Sequence, residues 1–174
     1  MKREMIEKCV VTLVLVACWL FLPAVGYTNG DDANIKVHLL YIVSHANIWH
    51  LAGNLLCLWL IRRELYLYSS LAIAILTSYI PAFSIYGDMG VTLGFSGVLF
   101  AIVGTKWGLY IGEWSRQGAT PMVRKYAGQF MMKILPFAIV GIIIPHVNWC
   151  LHTYCLLEGF GYGWLMRFTH GCWR

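Results

Sequence analysis

The chain has 174 residues, of which 59% are hydrophobic and only 12% charged, where a soluble domain would carry about a quarter charged. That composition excludes an ordinary soluble enzyme and points to an integral membrane protein. The net charge of +5 does not make it a nucleic-acid binder, because its basic residues stand singly between apolar runs and form no patch interleaved with aromatics.

A membrane span needs about 20 predominantly apolar residues. The sequence predicts six, in one domain covering residues 1–174 with no internal repeat: 9–25, 39–61, 67–85, 93–111, 130–144 and 149–168. The connections carry turn chemistry, with Asn29-Gly30-Asp31-Asp32, Arg62-Arg63-Glu64, Tyr86-Gly87-Asp88-Met89-Gly90, a polar stretch from Glu113 to Lys125, and Pro145-His146-Val147-Asn148. The first segment has two readings. Lys2, Arg3 and Lys8 before an apolar run, then Ala24-Val25-Gly26, fit a signal peptide, and Leu15-Val16-Ala17-Cys18 fits a lipoprotein processing box. The apolar run continues through Trp19-Leu20-Phe21-Leu22, which fits a retained span better.

With the amino terminus in the cytoplasm, Lys2, Arg3, Lys8, Arg62, Arg63, Arg116, Arg124, Lys125, Lys133, Arg167 and Arg174 all fall inside, and the outer loops hold only Lys36. Basic residues concentrate on the cytoplasmic side of membrane proteins, so both termini are expected there. Lys106 sits nearer the inner end of its span and can snorkel. The cysteines at 9, 18, 57, 150, 155 and 172 lie mostly in apolar runs without C-x-x-C spacing, and read as small buried hydrophobes.

In this topology spans two, four and six run from outside to inside. His45, His50, Ser96 and His152 then share one depth, just below the outer surface. Ser96 opens an apolar helix, where a hydroxyl lacks solvating water and needs a partner; an imidazole can take its proton. His50 and Asn54 are four residues apart, hence on one helical face, and can offer two donors to a developing oxyanion together with the Ser96 backbone N–H. His45 lies about 140° around an ideal helix from His50 and reads as structural, tying down the outer loop. Gly97, Ala101, Gly104 and Gly108 recur at three- and four-residue spacing, which lets a neighbouring backbone approach closely. The bland alternative for these polar residues is interhelical hydrogen bonding, about 1 kcal/mol per pair.

Three motifs together resemble the rhomboid family of intramembrane serine proteases: His45-x4-His50-x3-Asn54 in the second span, Gly94-x-Ser96-Gly97 with Ala101 and Gly104 in the fourth, and His152 with Gly159 in the sixth. The resemblance implies a six-helix membrane bundle in which Ser96 is the nucleophile, His152 the general base, and His50 and Asn54 help bind the oxyanion. It also implies a water-filled cavity open to the outside. His45, Gly94, Gly97 and Phe100 are read as structural or substrate-proximal.

Three features depart from the family pattern. The segment from Gly26 to His38 is short and lacks a Trp-Arg motif; the aromatic one turn after Ser96 is Phe100, where tyrosine is common; and Cys155 stands where a glycine is usual, which would push the fourth and sixth helices apart. Glu158 lies about 240° around the helix from His152 and roughly 9 Å deeper, so it cannot orient that imidazole and the reading is a Ser-His dyad. An intramembrane carboxyl marks function by default, and Glu158 is expected to be protonated and hydrogen-bonded to another helix. Asp88, in the outer loop, reads as a turn residue. Gly87, Gly90 and Gly94 would let that loop dip below the surface, which is tolerated where it lines a wet cavity.

The function expected is therefore a serine endopeptidase that cleaves transmembrane-helix substrates near the outer face of a cell membrane, inner or plasma, with no cofactor or metal. Its partners are transmembrane proteins and the bilayer, and the sequence leaves the oligomeric state open. Two alternatives belong to other classes: a catalytically idle relative that binds transmembrane clients, and a metal or proton carrier built from His45, His50, His146 and His152.

Overall fold

The computed structural model describes residues 3–28, 34–61, 65–80, 91–118 and 147–169, with a few positions between 120 and 139. All but two positions of the expected span at 130–144, Asp88 and the loop around it, His146 and Cys172 lie outside the described residues. Six α-helices are described: α1 (Arg3–Phe21), α2 (Ile35–Leu40), α3 (Ile48–Leu60), α4 (Leu67–Thr77), α5 (Ser96–Gln117) and α6 (Trp149–Thr169). The fold is all-α.

The helix starts follow from capping. Asn34 accepts from the Lys36 N–H and opens α2; Asn47, in extended conformation, accepts from the His50 N–H at 2.9 Å and opens α3; Asn148 accepts from the Leu151 N–H at 2.9 Å just before α6. Each side chain satisfies a backbone donor that a helix start leaves unpaired. At the other end of α5, Gly118 takes the left-handed φ of 73° that a residue with a Cβ adopts only under strain.

Two expectations are corrected here. The segment 39–61 is not one helix, because residues 41–47 form a turn and bend and Asn47 begins a new helix of only 13 residues. Likewise α4 stops at Thr77 and the chain turns through Ser78–Ile80. A 13-residue helix is about 20 Å long, short of a hydrocarbon core of about 30 Å. The longer helices α1, α5 and α6 carry charge: Arg3, Glu4, Glu7 and Lys8 in the first, Lys106, Glu113 and Arg116 in the second, Glu158 and Arg167 in the third. Among the described residues, no helix is long and apolar enough to cross a membrane.

The centre of the molecule is the α5–α6 pair, with α4 against both helices and α3 joining α1 to α5. The seam between α5 and α6 is made of glycines. A methyl group at Gly104 would fall on the Leu156 carbonyl, one at Gly159 on the Ala101 carbonyl, and one at Gly163 on the Thr105 carbonyl, so the two backbones touch. Cys155 does not wedge the pair open: its sulfur lies 3.6 Å from where a Gly97 methyl would stand, ordinary contact that fills the space glycine leaves. At the far end of the seam, the buried side chains of Glu113 and Arg167 form an ion pair, and Arg116 donates to the Arg167 carbonyl at 3.3 Å.

The first helix is fixed to the third by Lys8, which pairs with Glu4 at 2.9 Å and donates to the Ile61 carbonyl that ends α3. The Trp59 indole donates to Thr12 across the same face at 3.1 Å. Beyond α1, Tyr27 and Thr92 exchange two backbone hydrogen bonds, at 3.0 and 2.8 Å. The Tyr27 ring packs against those of His38 and Tyr41. Burial raises the pKa of the Tyr27 phenol, which therefore stays neutral.

Candidate active site

The segment entering α5 is shaped by position 94. Gly94 has φ 124°, a conformation that favours glycine, and its N–H donates to the Tyr41 carbonyl at 2.8 Å. A methyl group there would stand 2.7 Å from His50 Nε2 and 3.5 Å from Asn54 Nδ2. No other residue fits. The imidazole of His50 and the amide of Asn54 thus face the turn that delivers Ser96. As the first residue of α5, Ser96 also brings a backbone N–H that a helix start leaves without an intrahelical acceptor.

Across the seam, His152 Nε2 lies 2.8 Å from Ser96 Oγ. The imidazole is buried, and the Phe100 ring lies flat against it, with centroids 4.2 Å apart and planes inclined by 9°. This flank fixes the plane of the imidazole, and the glycine seam fixes the distance between the helices that carry the two groups. Ser96 remains half-buried. A hydroxyl in hydrogen-bond contact with an imidazole is the arrangement of a nucleophile and its general base, and it can transfer a proton as the oxygen attacks.

His45 is 3% exposed and leaves the turn before α3 to fold back over the helix. Its Nε2 lies 2.9 Å from Asn54 Nδ2, its Nδ1 lies 3.3 Å from the Val43 carbonyl, and its ring meets that of His50 edge-on at 5.1 Å. The reading of His45 as far around one helix from His50 is therefore corrected, since residue 45 is not in the helix. Gly97 lies against Leu151, Tyr41 and Cys155, where a larger residue would disturb the first turn of α5. Glu158 points away from His152: the Thr77 hydroxyl of α4 is 2.7 Å from Glu158 Oε2 and 2.7 Å from the Ile73 carbonyl.

Sequence reasoning missed four residues that position the site. Tyr41 holds Gly94 through its carbonyl and anchors itself by donating from its hydroxyl to the Ala74 carbonyl at 2.8 Å. Thr92 pairs with Tyr27, and its hydroxyl accepts from Asn148 Nδ2 at 3.0 Å. Asn148 therefore links the start of α6 to the segment leading into Ser96, so that the two helices bearing Ser96 and His152 are joined at their entrances as well as along their seam. Asn47 sets where α3 begins. For Asn47 and Asn148 a signal was present, an asparagine directly before an apolar run; for Tyr41 and Thr92 it was not.

Comparison with known proteins places the chain in a family. The Rhomboid domain model matches residues 33–168. Rhomboid protein 1, mitochondrial, of Saccharomyces cerevisiae is 28% identical over 103 residues, a stretch that covers 52% of this chain and 30% of the yeast protein. The match thus spans less than a third of that relative. No solved structure matches the chain. With its family model matched over most of its length, the chain belongs to the rhomboid domain family, a family of membrane proteins.

Proposed function

We propose that this protein is an intramembrane serine endopeptidase. The observation that carries the reading is the 2.8 Å contact between His152 Nε2 and Ser96 Oγ, made by two helices whose spacing is set by backbone contact. Ser96 Oγ attacks a peptide carbonyl carbon while His152 accepts the hydroxyl proton. The oxyanion forms opposite the Ser96 backbone N–H, the Asn54 amide and the His50 ring, which stabilise charge that is present only in the transition state and intermediate. Collapse breaks the C–N bond, and His152 returns the proton to the leaving amine. Water then attacks the acyl-serine ester by the reverse sequence of proton transfers and frees Ser96.

The distribution of side chains supports a six-span bundle in a lipid bilayer. Leu13, Phe21, Trp49, Tyr68 and Leu76 are exposed, whereas Lys8, Ser70, Thr77, Thr105, Lys106, Glu113 and Arg167 are buried. Large apolar side chains on the exterior, with charged and polar ones buried beside an apolar core, are the pattern of a chain that meets lipid. The charge asymmetry supports cytoplasmic termini and a site near the outer face of a cell membrane, inner or plasma. The substrate is a transmembrane helix that unwinds locally to expose a peptide bond.

The test is cleavage of a transmembrane substrate by the purified protein in proteoliposomes. Wild type should cut it, and Asn54→Ala should lower turnover by about 10²–10³, the effect of losing one oxyanion donor, with little change in substrate binding. A folded wild type that binds transmembrane helices but never cuts them would instead make it a client-binding relative. A cysteine placed at Gln117 should resist an impermeant reagent applied from outside; modification there would reverse the orientation.

A further inference from the structure

We infer that His45 is a positioning residue that sets the orientation of the Asn54 side-chain amide, and so decides whether a donor or an acceptor faces the carbonyl attacked by Ser96. The inference rests on the protease reading above and assigns to His45 a role beyond anchoring a loop.

The Val43 carbonyl, the His45 imidazole and the Asn54 amide form a chain of three groups. A backbone carbonyl can only accept a hydrogen bond, so the 3.3 Å contact between His45 Nδ1 and the Val43 carbonyl places the proton of the neutral imidazole on Nδ1 and leaves Nε2 as a bare acceptor. The Asn54 atom 2.9 Å from Nε2 must then be a donor, which is the amide nitrogen. Were the amide turned over, its carbonyl oxygen would confront the Nε2 lone pair. Both residues are buried, His45 at 3% and Asn54 at 6% exposure, so water cannot relieve that opposition, and an unmatched buried polar group is costly.

The amide nitrogen carries two protons. One is directed to His45. The same nitrogen lies 3.5 Å from the position of a Gly94 methyl, two residues before Ser96, and its second proton is available on that side. In the turned-over amide, the oxygen and nitrogen exchange places, the nitrogen leaves this position and oxyanion stabilisation by Asn54 is lost. The His50 ring, edge-on to His45 at 5.1 Å, packs against the imidazole that makes the choice. Removing the acceptor at position 45 frees the amide to adopt both orientations.

The experiment compares His45→Leu, His45→Gln, Asn54→Ala and the His45→Leu/Asn54→Ala double variant in detergent on a transmembrane substrate, with kcat and KM resolved. His45→Leu should lower kcat by about tenfold or more, up to the roughly 10²–10³ of losing an oxyanion donor outright, and leave KM unchanged. His45→Gln, which can present a carbonyl oxygen to the amide, should recover most of the loss. In the Asn54→Ala background, His45→Leu should lower kcat by no more than about twofold, because coupled positions are not additive. Nitrogen NMR of the wild type with labelled histidine should find Nδ1 of His45 protonated and Nε2 bare; this reading does not depend on any variant folding. The inference is overturned by the opposite tautomer, by His45→Leu cutting as fast as wild type, or by losses that simply multiply in the double variant. A wild type that neither cuts the substrate nor reacts with a serine-directed phosphonate would overturn the protease reading itself, an outcome distinct from an active wild type that tolerates His45→Leu.

Discussion

The ring of Phe100 lies flat on the imidazole of His152, 4.2 Å away and inclined by 9°, one helical turn below Ser96. Its position on α5 means that the helix carrying the hydroxyl also supplies the surface that holds the imidazole opposite it. Phe100→Leu keeps an apolar side chain but removes the flat face. An aromatic pair contributes about 0.5–1.5 kcal/mol beyond burial, so the rate at which Ser96 reacts with a phosphonate should fall by about two- to twelvefold. Phe100→Tyr, which preserves the face, should react at close to the wild-type rate.

The glycine seam predicts where the fold is intolerant. Gly104→Ala and Gly159→Ala each place a methyl on a backbone carbonyl of the facing helix. Overpacking of this kind costs about 1–3 kcal/mol or more, so both variants should melt at lower temperature in detergent and lose reaction at Ser96 in parallel. Gly161→Ala is the control, since nothing lies within 4 Å of a methyl there; it should be as stable as wild type or more so, by about 0.5–1 kcal/mol.

At the other end of the seam, the pair between Glu113 and Arg167 has both side chains only 5% exposed. Removing one member of such a pair costs about 3–5 kcal/mol, whereas replacing both by apolar groups is often neutral. Glu113→Ala should therefore be strongly destabilised in denaturant titrations, and Glu113→Leu combined with Arg167→Met should recover most of the stability. The site is remote from this pair, so the recovered double variant should react normally at Ser96.

The parts of this architecture that were legible in the sequence are those written as local spacing. The recurrence of Gly97, Ala101, Gly104 and Gly108 on one face announces close approach, and the structure meets it with Gly104 and Gly108 against the backbone of α6. The apolar run behind Ser96 announces a helix, and α5 begins at Ser96. The break at residues 41–47 was not legible, because that stretch contains neither glycine nor proline and its apolar residues continue on both sides. Only Asn47 carried the signal, as a cap. Missing it put His45 on the helix of His50, when it lies in the turn before that helix, and hid its contact with Asn54. The pairing of Tyr27 with Thr92 and the bond from Asn148 to Thr92 join segments far apart in the chain, and no periodicity encodes such contacts. The expectation of six long spans rested on counting apolar residues, which is blind to turns satisfied by side-chain caps.

The most direct measurement is covalent labelling of the solubilised protein by a serine-directed phosphonate, with the modified residue identified by mass spectrometry. A serine reacts appreciably at neutral pH only when an adjacent base activates it. The account predicts a single adduct on Ser96, suppressed in a folded His152→Ala variant and absent, together with substrate cleavage, in Ser96→Ala. Substrate cleavage that persists undiminished in a folded Ser96→Ala variant would contradict it.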